Sequence, residues 1–177
     1  DSSPSVVNGV VYVGSDDNNT YALNATTGSK LWNYTTGGTA YDPSYFNGVV
    51  YVGSNDNNTY ALNATTGSEL WNYTANAPVL SSPAVVSGTV YIGSLDGNVY
   101  ALNATIGSEL WNYTTGDVLL SSPAVVNGTV YIGSLDGNVY AIGTGAAVAS
   151  QTTTPGFEIA LAVVGLVITS YIVSRRR

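Results

Sequence analysis

Four aspartates, Asp17, Asp56, Asp96 and Asp136, recur 39, 40 and 40 residues apart in a chain of 177 residues. Carboxylates dominate its reactive stock, because it contains no Cys, His or Met. That composition removes disulfides, thiolate nucleophiles, imidazole bases and the commonest transition-metal ligands. Acid–base chemistry would have to be assembled from Asp, Glu, Tyr and Ser, and no cluster of these stands out. Calcium is the other use for repeated carboxylates, but it takes six or more oxygens around one ion. One Asp per repeat, each beside Asn or Gly, is too dispersed, so the four are read as turn formers. No metal site and no catalytic residue are expected.

One repeat breaks the pattern. Where the others read SSPSVV or SSPAVV, residues 41–46 read YDPSYF and gather Tyr41, Asp42 and Tyr45. Aromatic faces with a carboxylate suit a sugar or a peptide, and these three form the candidate ligand patch. By strand alternation Tyr41 and Tyr45 share one side and Asp42 takes the other, unless Pro43 breaks the register.

Charge narrows the partners. Charged residues make up 8% of the chain, with a net charge of −7. Up to Thr154 the only base is Lys30, against ten acids. A phosphate-tracking surface needs several cations, so nucleic acid is excluded as a partner.

The elements that must position these residues are legible from four parallel series. Pro4, Pro43, Pro83 and Pro123 keep the spacing of the aspartates, as do Tyr12, Tyr51, Tyr91 and Tyr131. Tyr21, Tyr60, Tyr100 and Tyr140 follow, and so do Trp32, Trp71 and Trp111. With Tyr34, Tyr73 and Tyr113, which recur two residues after each Trp, 11 of the 14 tyrosines fill such slots, which assigns the aromatic content to a core. Each unit reads as four short strands. The first ends at Asn8-Gly9, Asn47-Gly48, Ser87-Gly88 or Asn127-Gly128, where Asn-Gly between apolar runs signals a hairpin. The second runs to the Asp turn, the third to an Asn-Ala-Thr turn, and the fourth is the Trp strand. No amphipathic helix precedes residue 150.

Four antiparallel strands per repeat of about 40 residues predict an all-β fold, a β-propeller. The units are about 1–39, 40–79, 80–119 and 120–142, giving three full blades and three strands of a fourth. In such a fold the first strand of each blade lines the central channel, which places the candidate patch near the axis. A β-sandwich would not need near-identical units.

The phrase Ala-x-Asn-x-x-Thr-Gly-x-x-x-Trp resembles the tryptophan-docking motif of PQQ-like propeller repeats, with Asn where the family usually has Asp. Ala22, Asn24, Thr27, Gly28 and Trp32 match it, as do Ala61, Asn63, Thr66, Gly67 and Trp71. Ala101, Asn103, Gly107 and Trp111 match in the third copy, where Ile106 replaces Thr. The resemblance covers residues 1 to about 142. It implies that each indole packs between blades, near the Ala and Gly of a neighbouring motif. Physically this suits a sheet that cannot bury both faces alone. The family's best-known enzymes hold the quinone PQQ over Ca²⁺, with paired cysteines and a tryptophan floor. This chain has no Cys, and docking already uses its tryptophans, so no cofactor is expected.

The chain opens directly on a first strand, and its last unit lacks the docking turn and Trp strand. Upstream residues are therefore expected, making this the C-terminal part of a propeller of seven or eight blades. A four-bladed ring, or a homodimer in which two copies pair into eight blades, are the alternatives.

Residues 143–154 have the small, uncharged composition of a linker. Residues 155–177 then read PGFEIALAVVGLVITSYIVSRRR. A transmembrane helix is predicted over 157–173, with the arginines cytoplasmic and the propeller outside. Pro155, Gly156 and Phe157, an apolar stretch, then Arg175, Arg176 and Arg177 resemble the PGF-CTERM sorting signal of archaeal surface proteins. The resemblance implies an archaeosortase as partner and either a retained span or a processed lipid anchor. Asn18, Asn24, Asn33, Asn57, Asn63, Asn72, Asn103, Asn112 and Asn127 all begin N-x-S/T, in keeping with export. Asn24, Asn63 and Asn103 fill the docking turn and are assigned to it. Asn33, Asn72 and Asn112 face outward beside each Trp and are the glycosylation candidates. The function expected is a non-enzymatic, membrane-anchored surface scaffold or binding module for protein or glycan ligands. The competing expectation is a fragment of a quinoprotein-type enzyme.

Overall fold

The structure, a computed structural model, describes residues 2–143 and 158–160. Its strands form four separate four-stranded sheets in chain order, one per repeat. Blade 1 comprises β1 (Ser5–Val7), β2 (Val10–Gly14), β3 (Asn19–Asn24) and β4 (Lys30–Thr35). Blade 2 comprises β5 (Ser44–Phe46), β6 (Val49–Gly53), β7 (Asn58–Asn63) and β8 (Glu69–Thr74). Blade 3 repeats this with β9 (Ala84–Val86), β10 (Thr89–Gly93), β11 (Asn98–Asn103) and β12 (Glu109–Thr114). Each is an antiparallel meander, because its connections are too short for a crossover.

The turns follow from their residues. Asn8, Asn47, Ser87 and Asn127 all take positive φ, and so do the glycines after them. Two consecutive positive φ values give the primed hairpin turn, whose twist matches the strands it joins. The Asp turns place positive φ at Asn18, Asn57, Gly97 and Gly137, one residue past each Asp. There the carboxylate accepts the amide two residues on, from Asn19, Asn58, Asn98 and Asn138, at 2.8–3.0 Å.

Blade 4 departs from expectation. β13 (Ala124–Val126), β14 (Thr129–Gly133) and β15 (Val139–Gly143) are joined by β16 (Glu158–Ala160), so the last sheet has four strands, not three. β16 runs parallel to β15, with Ile159 opposite Ala141, where the other blades place Trp opposite Ala antiparallel. An unpaired β15 edge exposes a row of amides and carbonyls, and an apolar strand arriving through a long connection satisfies it in either direction. These three residues belong to the stretch predicted as a helix over 157–173 and are strand instead. The rest of that stretch lies outside the described residues. Among the described residues, no helix is long and apolar enough to cross a membrane.

The core sits between blades. One cluster joins Tyr12, Ala22, Trp32 and Ala40 to Val50, Val52, Tyr60, Leu62 and Ala64 of the next blade. Equivalent clusters join blades 2 and 3, and blades 3 and 4. Each Trp strand carries a bulge: Ala22 pairs with Trp32 and Leu23 with Lys30, which skips Leu31. The skipped residue is pushed outward, and Leu31, Leu70 and Leu110 are each about half exposed.

Candidate functional site

The most repeated constellation surrounds the indoles. Trp32 and Trp71 are 9% and 8% exposed, and each reaches into the next blade. Trp32 Nε1 donates to the Ala64 carbonyl at 3.0 Å, and Trp71 Nε1 donates to Ala104 at the same distance. The ring packs against a glycine. A Cβ built at Gly67 would stand 2.7 Å from the Trp32 ring, and one at Gly107 would stand 2.6 Å from Trp71. Both glycines also have φ above +70°, so geometry and contact require the same residue. The alanines differ from the expected arrangement. Ala22, Ala61 and Ala101 lie opposite the Trp of their own blade, and the neighbour contributes Ala64 or Ala104. Sequence reasoning missed these two carbonyls, although the residue after each motif Asn is Ala in all three copies. Trp111 is half-buried beside Tyr91 at 5.9 Å, in the cluster shared with blade 4.

Asn24 Oδ1 accepts the amides of Thr26 and Thr27 at 2.9 Å, and Asn63 and Asn103 repeat this turn. Thr27 Oγ1 and Ser29 Oγ add a 2.8 Å bond that Ile106 cannot make in the third copy. Asn33, Asn72 and Asn112 are exposed on the outer strands, and their side-chain amides donate to Asn19, Glu69 and Glu109.

Each repeated carboxylate is engaged twice over. Tyr21, Tyr60, Tyr100 and Tyr140 donate to Asp17, Asp56, Asp96 and Asp136 at 2.5–2.7 Å. Asp56, Asp96 and Asp136 also accept a backbone amide from the preceding inter-blade connection, at Gly37, Asn76 and Gly116. The Tyr21 hydroxyl first, then Ser15 and the Asn19 turn, hold the Asp17 carboxyl down to about 2. Burial pushes Asp56 and Asp136 upward, but the tyrosine and turn bonds outweigh it and hold both below the ordinary value. Burial and then the Asp partner push Tyr60 and Tyr100 up to about 12. Tyr34 and Tyr73 are raised further by burial and by donation to Glu69 and Glu109 across the blade junctions.

The residues of the candidate patch have separate surroundings. Asp42 accepts the Ser3 amide on Oδ1 at 2.5 Å and the Ser82 hydroxyl on Oδ2 at 2.9 Å. Ser82 N donates onward to Ser122 Oγ at 2.9 Å. Ser3, Asp42, Ser82 and Ser122 each precede the repeated proline, so one polar chain links the inner strands of all four blades. Tyr45 lies instead against Tyr12, the rings 5.9 Å apart and 14° from parallel. The pair lines a groove of about 490 Å³ between blades 1 and 2, with Val10, Leu31 and Ala64. Blades 2 and 3 enclose an equivalent groove of about 530 Å³, lined by Phe46, Tyr51, Leu70 and Ala104. Tyr41 is half-buried just before β5, its amide donating to Gly53.

A family model described as outer membrane protein assembly factor BamB matches residues 1–42 and 35–160. The chain belongs to this BamB-type family of PQQ-like repeats. Solved structures share the propeller fold of this BamB-type chain. BamB from Moraxella catarrhalis superposes with a TM-score of 0.71 at 22% identity, over 77% of this chain and 47% of that one. The computationally designed Ika4 protein gives 0.71 at 18% identity, over 79% and 90%. Quinohemoprotein alcohol dehydrogenase from Comamonas testosteroni gives 0.66 at 21% identity, over 75% and 28%. The chain thus spans about half the length of that BamB and under a third of the dehydrogenase. No curated protein matches it. Residues 154–176 match the PGF-CTERM motif, which marks membrane-anchored cell-surface proteins processed by an archaeosortase. All but Glu158–Ala160 of that motif lies outside the described residues, so Pro155–Phe157 and the terminal arginines have no placement here.

The described residues of this BamB-type chain do not suit a quinone held over Ca²⁺. Its four hairpin carboxylates sit one per blade with their oxygens already accepting hydrogen bonds, and Trp32 and Trp71 lie inside junctions.

Proposed function

We propose that the protein is a cell-surface propeller acting as a non-enzymatic scaffold or binding module, displayed outward on its C-terminal anchor. The observation that supports this most is the use of its chemistry-bearing side chains. Tyr21, Tyr60, Tyr100 and Tyr140 donate to the hairpin aspartates, Tyr34 and Tyr73 donate to Glu69 and Glu109 across blade junctions, and the indoles of Trp32 and Trp71 donate to backbone carbonyls of the next blade. The inner strand is one place where the units vary, and there Tyr45 replaces the valine of the other blades. The Tyr12–Tyr45 groove is therefore the preferred ligand surface, for an aromatic-stacking glycan or an apolar peptide side chain. Weak single contacts gain from display of many copies on one surface. Asn33, Asn72 and Asn112 would carry glycans on the outer rim.

A glycan and peptide array with wild type and Tyr45→Val tests the reading. Tyr45→Val restores the repeat consensus without touching the Asp42 bonds. Binding by wild type that falls in the variant supports it, and equal or absent binding by both removes the groove. Alcohol-dependent dye reduction after incubation with PQQ and Ca²⁺ would favour the enzymatic alternative instead.

A further inference from the structure

The inner strand of blade 2 departs from the repeat at two neighbouring residues. Tyr45 and Phe46 stand where the other blades carry Val6 and Val7, Val85 and Val86, or Val125 and Val126. Strand alternation sends successive side chains to opposite faces of a sheet. Tyr45 accordingly packs on the cluster shared with blade 1, and Phe46 on the cluster shared with blade 3. Each ring lines the groove on its own side of the blade. In the first groove Tyr45 is the departure, and in the second Phe46 stands at the place that Val7 holds in the first.

Otherwise the two grooves repeat each other. Leu31 and Leu70, which the bulge leaves about half exposed, add apolar surface to the first and the second. A hairpin turn and a docking turn border each one, at Gly48 and Thr65 or at Gly88 and Thr105. These turns lie at one end of the blades, because every blade runs the same meander, so the grooves open side by side. Each junction also carries an exposed carboxylate, Glu69 bonded to Tyr34 or Glu109 bonded to Tyr73. Lys30, the only base before Arg175, is engaged elsewhere, donating to Asn33 Oδ1.

We propose that the two grooves are one bipartite site for an extended basic peptide, which sets a large apolar side chain in each. This rests on the reading of the Tyr12–Tyr45 groove as a ligand surface and adds the second anchor at Phe46 and the class of occupant. Volumes of about 490 and 530 Å³ fall within the range of about 300–1,000 Å³ usual for ligand pockets. Facing sheets stand about 10 Å apart, and a polyproline-type peptide returns to the same face every three residues, over about 9 Å. Side chains at positions i and i+3 of such a peptide therefore reach both grooves at once. A neutral glycan gains nothing from Glu69 and Glu109, whereas a lysine beside each anchor gains from both.

The test uses the full chain and a fluorescent peptide, Lys-Trp-Pro-Pro-Trp-Lys, followed by anisotropy. Comparison peptides replace one Trp by Ser, or both Lys by Glu. Tethering makes the second contact intramolecular, so the two-Trp peptide should bind about a hundredfold more tightly than the one-Trp peptide. Tyr45→Val and Phe46→Val restore the repeat residues, and each should weaken the two-Trp peptide about fivefold, the worth of one aromatic contact. The one-Trp peptide should barely change in either variant, because it has the other groove to enter. The Glu-flanked peptide should bind more weakly than the Lys-flanked one. Absent binding, equal affinities for the one-Trp and two-Trp peptides, or a Phe46→Val protein that binds as wild type does would overturn the bipartite site. If Tyr45→Val still lowers binding in those cases, the single groove stands; if it does not, both readings fall. A neutral oligosaccharide bound in preference to the peptide would overturn the assignment of the occupant.

Discussion

Gly28, Gly67 and Gly107 share a sequence context and a backbone conformation, and differ only in what lies above them. Gly67→Ala therefore combines two costs. The left-handed backbone costs about 1–2 kcal/mol for any side chain, and the methyl would meet the Trp32 ring, adding about 1–3 kcal/mol of overpacking. Gly28→Ala incurs the first alone. Chemical denaturation of both variants should find Gly67→Ala the more destabilised, and equal losses would mean that the indole does not rest there. A second residue-level expectation concerns Thr59. Its Oγ1 is buried with no partner, and the later repeats place Val99 and Val139 at the same position. Thr59→Val keeps the shape and removes the orphan hydroxyl, so stability should rise by about 1 kcal/mol. A fall in the denaturation midpoint would contradict this. Glycine and tryptophan were legible as a pair because period and motif both marked them. The acceptors Ala64 and Ala104 were not, because a backbone carbonyl has no side-chain signature.

Strand order and turns were largely readable, since Asn-Gly and Asp-Gly fix backbone conformations that few other sequences adopt. The bulge at Leu31, Leu70 and Leu110 was not, because an extra residue leaves the pattern of the outer strand unchanged until its partner is known. β16 was hidden for a different reason: an apolar segment suits a strand edge as well as a helix, and pairing depends on the open edge of β15. The tyrosine ladder across the blades carries a pH prediction. Unfolded tyrosine ionises near pH 10, whereas folded Tyr60 and Tyr100 hold their protons up to about 12. Between those values the unfolded state has lost protons that the folded state keeps, so stability is present in full below about pH 10 and falls as pH rises. Thermal midpoints should decline through that window, and tyrosinate absorbance should rise in two stages, exposed residues first. A midpoint flat to pH 12 would show that the buried tyrosines are not held by their Asp and Glu partners.

At the scale of the molecule, the repeats pack in series with the core between blades, so the junction is the unit of stability. The candidate ligand patch was only partly legible. Its departure from the consensus was visible in residues 41–46, but alternation could not foresee that Asp42 would tie Ser3 to Ser82 while Tyr45 stacked on Tyr12. Both follow from neighbours 33 to 40 residues away. The central claim is that the tryptophans are inter-blade fasteners and not a site. Hydrogen exchange of the three indole N–H protons by NMR tests this most directly. Trp32 and Trp71, each bonded to a carbonyl of the next blade at 3.0 Å, should exchange only through global opening. Trp111, with no docking turn beside it among the described residues, should exchange faster. Three indoles exchanging alike at the rate of free tryptophan would contradict the account.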